Sequence, residues 1–223
     1  MEGIIMWRAR FVSLLALNFA FYLFLAGCGK SASTASIEGG NRELPSGPKK
    51  SEFDDARPAV LIRTSLGEIS VDLDREKTPI AVENFLAYVS RRQYDGTIFH
   101  QVEKGYMALG GGYDAKLLQR PSEIPIRNEA HHSGKNLRGT LAMARSPDEI
   151  DSATNQFFLN LADNTNLDHR DRTPEGYGYC VFGKLTAGEE VLDKISSISV
   201  ADQPDFPQMP TTPLLIESIR RVR

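Results

Sequence analysis

Apolar positions along this chain fall into two regions of different character. Near the N-terminus, Phe11 to Ala26 is almost unbroken apolar sequence, interrupted by Ser13 and Asn18 and preceded by Arg8 and Arg10. The run is shorter than the roughly 20 residues that cross a bilayer as a helix. Basic residues before a short apolar stretch have the form of a secretory signal. From Ala59 onward the pattern is that of short packed elements. Ala59-Val60-Leu61-Ile62 and Glu68-Ile69-Ser70-Val71-Asp72-Leu73, joined by Ser65-Leu66-Gly67, predict a hairpin. Thr78-Pro79 predicts a helix start, with threonine at the cap and proline at the first helical position. Val82, Phe85, Leu86 and Val89 follow at helical spacing and give one buried stripe. Further short strands are expected over Thr97 to Gln101, Thr140 to Ala144, Gln156 to Asn160 and Tyr179 to Lys184. A second helix is expected over Glu189 to Ser196, with Val191, Leu192 and Ile195 inward, and a last strand near Leu214 to Arg220. Many short antiparallel strands with two helices predict a mainly β fold, a closed barrel with the helices capping its ends. No internal repeat supports a solenoid or propeller.

Between the two regions, Gly29 to about Asp55 is dominated by Ser, Gly, Thr, Pro and Lys. Such a stretch buries too little apolar area to offset its ordering entropy, and it is read as a flexible tether. The expected organisation is a signal over residues 1–28, a tether over 29–56 and a folded domain over 57–223. The signal closes on Leu25-Ala26-Gly27-Cys28, which looks like a bacterial lipobox. Small residues there suit a signal peptidase, and Cys28 is the expected acylated residue. Acyl chains supply several tens of CH₂ groups at about 0.8 kcal/mol each, enough for stable anchoring. The alternative is an uncleaved signal anchor with an incidental cysteine. The lipobox reading puts the protein in a bacterial cell envelope, lipid-anchored on the periplasmic side or the cell surface. Met1 and Met6 are both possible starts.

Hydrophobic residues make up 41% and charged residues 25%, and the formal net charge is −3. That balance argues against nucleic acid as a partner, which needs a concentrated basic face. Cys28 and Cys180 are the two cysteines, and their settings differ too much for a disulfide framework. Cys180 stands beside Val181 and Phe182 and is expected to be a buried, inert thiol. No Gly-x-Ser-x-Gly, His-Glu-x-x-His or Walker glycine loop is present. Gly110-Gly111-Gly112 lacks a following lysine and helix, so a tight turn is expected there. His131-His132 and Asp168-His169-Arg170-Asp171 lack metal-ligand spacing and are read as solvated turns, with no metal site.

Several motifs occur in one order: Thr97-Ile98-Phe99-His100, Gly105-Tyr106-Met107, Gly110-Gly111, Gly139-Thr140-Leu141-Ala142-Met143-Ala144-Arg145, Ser152-Ala153-Thr154-Asn155-Gln156-Phe157-Phe158-Leu159-Asn160, Asn166-Leu167-Asp168 and Gly178-Tyr179-Cys180-Val181-Phe182-Gly183. From about Arg57 to the chain end, the sequence thereby resembles a bacterial-type cyclophilin. The resemblance implies an eight-stranded antiparallel barrel capped by two helices, an active groove on its outside, prolyl cis/trans isomerase activity and no cofactor. It implies that Tyr106, Met107, Phe158 and Leu167 form a proline slot whose floor Phe99 and His100 support. Ala144 and Arg145 would offer backbone hydrogen bonds to the peptide, and Gln156 a side-chain amide. Tyr179 matches a position that is often tyrosine in bacterial members. For Phe157 and Met143 plain core packing is the preferred reading, whereas Gln156 and Phe158 lie two apart on a strand and share a face.

The chain departs from the family pattern at several points. Gln101 stands where the family has its catalytic arginine, Leu109 where it has glutamine, Asn166 where it has tryptophan or phenylalanine, and Tyr106 where it has phenylalanine. The leading expectation is a weak isomerase acting on proline-containing segments of exported proteins, as a monomer. The alternative is a pseudoenzyme that binds such segments without fast turnover, and a purely structural lipoprotein ranks below both.

Overall fold

The computed structural model describes residues 57–223. The expected signal, Cys28 and the tether lie outside the described residues. The strands are β1 (Ala59–Thr64), β2 (Gly67–Leu73), β3 (Thr97–Glu103), β4 (Met107–Asp114), β5 (Thr140–Met143), β6 (Phe157–Asn160), β7 (Val181–Ala187), β8 (Val200–Gln203), β9 (Phe206–Pro210) and β10 (Leu214–Arg221). Eight of them close an antiparallel barrel in the order β1-β10-β3-β4-β6-β5-β7-β2, while β8 and β9 pair as a separate two-stranded sheet. Two helices accompany the barrel, α1 (Pro79–Ser90) and α2 (Glu189–Ser197).

Alternation along the strands fills the barrel. Val60 and Ile62 of β1, Ile69 and Val71 of β2, Leu141, Phe157 and Phe182 all join one interior cluster. The expected stripe of α1 (Val82, Phe85, Leu86, Val89) and the expected inward face of α2 (Val191, Leu192, Ile195) close over the same cluster. Phe85 ties helix to barrel, with ring centroids 5.2 Å from Tyr94, 5.5 Å from Phe157 and 5.0 Å from Phe182. Such aromatic pairs add about 0.5–1.5 kcal/mol beyond their burial.

Thr78 is the cap residue of α1 and Pro79 opens the helix, as expected, although the Thr78 hydroxyl donates backward to the Asp74 carbonyl at 2.8 Å and makes no cap bond. The first amides of α1 are satisfied instead by the Glu129 carboxylate, which accepts from Ile80 N at 3.2 Å and Ala81 N at 2.9 Å. The anion also suits the positive end of the helix dipole.

Gly110-Gly111-Gly112 is strand, not turn: all three residues lie within β4. A Cβ on Gly110 would sit 2.8 Å from Phe99 Cδ1, and one on Gly111 2.9 Å from Tyr94 Cε1. Gly111 also has φ +85°, a left-handed value that favours glycine. The glycines therefore allow two aromatic rings to press against the strand. Register shifts flank Phe99 in the β3–β4 pairing, the mark of a bulge. The bulge matters for the site, because it sends Phe99 into the barrel and leaves Gln101 on the outer face.

Candidate functional site

One row of outward side chains crosses five strands in register. Gln101 on β3 opposes Leu109 on β4, Leu109 opposes Phe158 on β6, Phe158 opposes Ala142 on β5, and Ala142 opposes Val181 on β7. Directly opposed residues share a face, and their chain neighbours point the other way. Leu141, Met143 and Phe157 thus enter the barrel, whereas Leu109, Ala142, Phe158 and Val181 form a second apolar cluster outside it. Met107, Ala144, Leu167 and Tyr179 pack partly buried against that cluster. This second, smaller cluster lies apart from the barrel interior, buried under the half-buried Met107, Ala144, Leu167 and Tyr179, which form its rim.

The groove is held in shape by buried polar groups that sequence reasoning did not single out. Leu167 sits on a 3₁₀ turn, Thr165–Leu167, beyond β6. Asn136, fully buried, donates its side-chain amide to Leu167 O at 3.1 Å and Tyr179 O at 3.3 Å, and its backbone N–H to Asp168 Oδ1 at 2.8 Å. Its Oδ1 accepts from Asn160 Nδ2 at 3.2 Å. Asn160 Oδ1 in turn accepts from Asn164 Nδ2 at 2.7 Å, and Asn164 also donates to Tyr106 O at 2.8 Å. Buried amides satisfied by one another fix a single arrangement. Their only legible trace is an asparagine closing the apolar strand Phe157–Asn160.

Tyr179 meets Phe158 edge-on, with ring centroids 5.6 Å apart at 79°. The Arg145 guanidinium lies 5.0 Å from the Tyr179 ring centroid. Arg145 also donates to Gly178 O at 3.1 Å, Ser146 O at 2.8 Å, Pro147 O at 2.9 Å and Pro174 O. Its side chain is a clamp that joins two loops at the groove edge. The Ala144 N–H donates to Gln156 O at 3.0 Å, so a peptide can use only the Ala144 carbonyl. The Gln156 side chain lies against Gly112, where a Cβ would come within 2.7 Å of its Cδ.

Not every expected residue joins the apolar cluster. Tyr106 stands beside it, half-buried, with its hydroxyl accepting from Asn166 Nδ2 at 3.0 Å. Phe99 is in the barrel interior, edge-on to Phe157 at 6.1 Å. His100 packs 4.9 Å from Tyr113 and 5.9 Å from Phe206, under the β8–β9 hairpin. Burial pulls its imidazole down to about 4, so the ring is neutral at physiological pH. Gln101 is 6% exposed, and its amide makes no hydrogen bond to the described residues. That leaves a polar group beside Leu109, available to a ligand in the groove.

Elsewhere, the two segments read as solvated turns come together. The His131 ring lies 3.8 Å from His132 and 6.1 Å from His169, and Tyr177 touches both His131 and His169. Asp168 is buried rather than solvated, because it anchors Asn136. No group of three or more His, Cys, Asp or Glu among the described residues is arranged to hold a metal. The Cys180 thiol is buried and pushed up to about 12, first by that burial, so it stays protonated.

The family described as cyclophilin type peptidyl-prolyl cis-trans isomerase/CLD matches residues 59–221. The chain belongs to the cyclophilin family, a family of isomerases. Peptidyl-prolyl cis-trans isomerase A of Dickeya dadantii is 44% identical over 164 residues, covering 74% of this chain and 84% of the relative. Peptidyl-prolyl cis-trans isomerase B of Escherichia coli is 39% identical over 160 residues, covering 72% and 97%. The crystal structure of a cyclophilin type isomerase from Cryptosporidium parvum superposes with a TM-score of 0.61 at 25% identity, covering 75% of this chain and 98% of that one. The cyclophilin barrel expected from the motifs is the barrel observed. Within it, the row of outer residues begins at Gln101 and Leu109, two of the positions where this chain departs from the family pattern.

Proposed function

We propose that this cyclophilin is a peptidyl-prolyl cis-trans isomerase of reduced rate, acting on proline-containing segments of exported proteins. The observation that carries the reading is the outer apolar cluster around Phe158 with the Gln101 amide at its edge. An X-Pro bond crosses a barrier of about 18–20 kcal/mol, because amide resonance breaks in the twisted state. Catalysis then needs an apolar slot for the proline ring and a donor that favours the twisted state, in which the proline nitrogen accepts a hydrogen bond. Met107, Phe158, Leu167 and Tyr179 supply the slot, and Gln101 supplies a neutral donor. No nucleophile or proton transfer is involved.

Titration of the full chain in detergent with an Ala-Pro peptide, followed by NMR, tests the groove. Phe158→Ala weakens binding by about 1–3 kcal/mol through lost apolar contact. Phe158 is itself buried and its loss costs stability, so Leu167→Ala at the half-buried rim is the companion variant. Shifts that map to the opposite side of the barrel, or unchanged affinity in both folded variants, would overturn the reading. A second reading, a proline-segment binding module without turnover, is favoured by the mostly retained slot beside the altered Gln101 and Leu109. A protease-coupled isomerisation assay separates the two.

The proposed location is a bacterial cell envelope, with a lipid on Cys28. Cys28→Ala is expected to abolish lipid labelling and to leave the signal unprocessed. Labelling that persists in the variant would place the anchor elsewhere.

A further inference from the structure

Two polar side chains meet at one end of the groove. Tyr106 immediately precedes Met107, and Asn166 immediately precedes Leu167; both Met107 and Leu167 pack against the apolar cluster. Asn166 Nδ2 donates to the Tyr106 hydroxyl at 3.0 Å. The two segments are also cross-linked through one backbone carbonyl: Tyr106 O accepts from Leu161 N at 2.8 Å and from Asn164 Nδ2 at 2.8 Å. The backbones that carry the two side chains are therefore held close to one another. A tyrosine hydroxyl that accepts one hydrogen bond still has its own proton to donate. That proton has no acceptor among the described residues, and neither Asn166 Oδ1 nor its second amide hydrogen is engaged there. Burial pushes the Tyr106 phenol up, with the Asn166 bond acting against it. The hydroxyl is thus protonated and partly desolvated where a bound peptide would pass.

We infer that Tyr106 and Asn166 form a specificity element that selects proline segments carrying a hydroxyl or amide side chain next to the proline. This rests on the peptide-groove reading above. A bound peptide covers the rim and removes water from the free donors and acceptor. A polar neighbour of proline replaces that water, whereas an aliphatic one leaves the groups unpaired. Sites built to hydrogen-bond a substrate reject the analogue lacking the group, while purely apolar rims discriminate poorly. Asn166 is exposed, so water reaches part of the pair and the expected preference is moderate.

The test uses threonine and valine, which differ by a hydroxyl in place of a methyl. The full chain in detergent is titrated by NMR with Ala-Ala-Pro-Thr against Ala-Ala-Pro-Val, and with Ala-Thr-Pro-Ala against Ala-Val-Pro-Ala. The threonine peptide of at least one pair is expected to bind about 3- to 10-fold more tightly, the range of one net hydrogen bond. Tyr106→Phe, which removes one oxygen, and Asn166→Leu each reduce that ratio to within about twofold. Asn166→Gln restores part of it. Equal binding within both pairs, or a preference that survives both variants, overturns the inference and leaves the groove reading standing. If none of the four peptides binds, both readings fall.

Discussion

Replacing Gln101 with arginine raises isomerase turnover at least about tenfold, and adding Leu109→Gln raises it further. Hydrogen bonds from charged groups contribute about 1.5–3 kcal/mol, against about 0.5–1.5 kcal/mol for neutral ones. The arginine of the family pattern is a permanent cation. Gln101 keeps an amide at the edge of the groove but carries no charge and reaches less far. Its directly opposed partner on β4 is Leu109, which cannot hold a neighbouring donor in place. The expected deficit in transition-state stabilisation is about 1.4–4 kcal/mol, or about 10- to 1000-fold in rate. Substrate affinity is expected to suffer less, because the proposed proline slot is built on an apolar cluster across β4, β5, β6 and β7 that neither position belongs to except through the Leu109 side chain. Direct opposition also predicts that the double change exceeds the sum of the single ones. The measurement is kcat/KM in a protease-coupled assay, with near-ultraviolet circular dichroism confirming that each variant is folded. Wild-type activity equal to that of an arginine-bearing cyclophilin, or no gain in folded Gln101→Arg, would show the donor argument to be wrong. Arg145 would then be the source of charge to examine. Its guanidinium already holds the carbonyls of Ser146, Pro147, Pro174 and Gly178, so it acts as a clamp unless that arrangement opens.

The sequence was legible where structure depends on neighbours in the chain. The hairpin of β1 and β2, the buried stripe of α1 and the inward face of α2 follow from periods of two and 3.6 residues. Alternation also separates Phe158 from the interior Phe157, whereas Gln156, expected on the same strand, falls just before β6. What escaped depends on contacts between distant segments. Three glycines in a row read as a turn, yet Phe99 and Tyr94 press against them and turn the run into strand. The side chain that accepts from the first amides of α1 is Glu129, far along the chain, while Thr78 at the cap position turns its hydroxyl back to Asp74. β8 is mostly exposed and β9 mostly half-buried, without clean alternation in either, so no hydrophobic pattern announced them. Phe99 followed the family expectation only in part, because the β-bulge separates it from Gln101 by a face. The bond between Tyr106 and Asn166 joins residues 60 apart in sequence, and neither position alone signals the other.

The same long-range character makes Asn136 the most sensitive polar residue of the groove. Asn136→Ala is expected to lower stability by about 2–5 kcal/mol, because in a fully buried place it strands Tyr179 O, leaves Leu167 O with only the Tyr179 N–H at 2.9 Å and removes an acceptor from Asn160 Nδ2. For a domain of this size that corresponds to a fall in Tm of roughly 4–20 °C. Urea unfolding checks the first figure through a lower midpoint at unchanged slope. The effect on binding separates this residue from an ordinary core position. Leu167 O and Tyr179 O both accept from the Asn136 amide, and both residues lie outside the barrel strands. At a temperature below the unfolding transition, peptide affinity should fall by more than the unfolded fraction explains. Asn136→Asp gives a second measure: its carboxylate would face Asp168, whose Oδ1 now accepts from the Asn136 amide at 3.3 Å. Like charges at that distance in a buried site repel, so this variant should gain stability as pH falls and one carboxyl takes up a proton, while Asn136→Ala should not. An unchanged urea midpoint in Asn136→Ala, or reduced stability with peptide affinity fully retained, would mean that Leu167 and Tyr179 are held by the barrel itself rather than by the asparagine network.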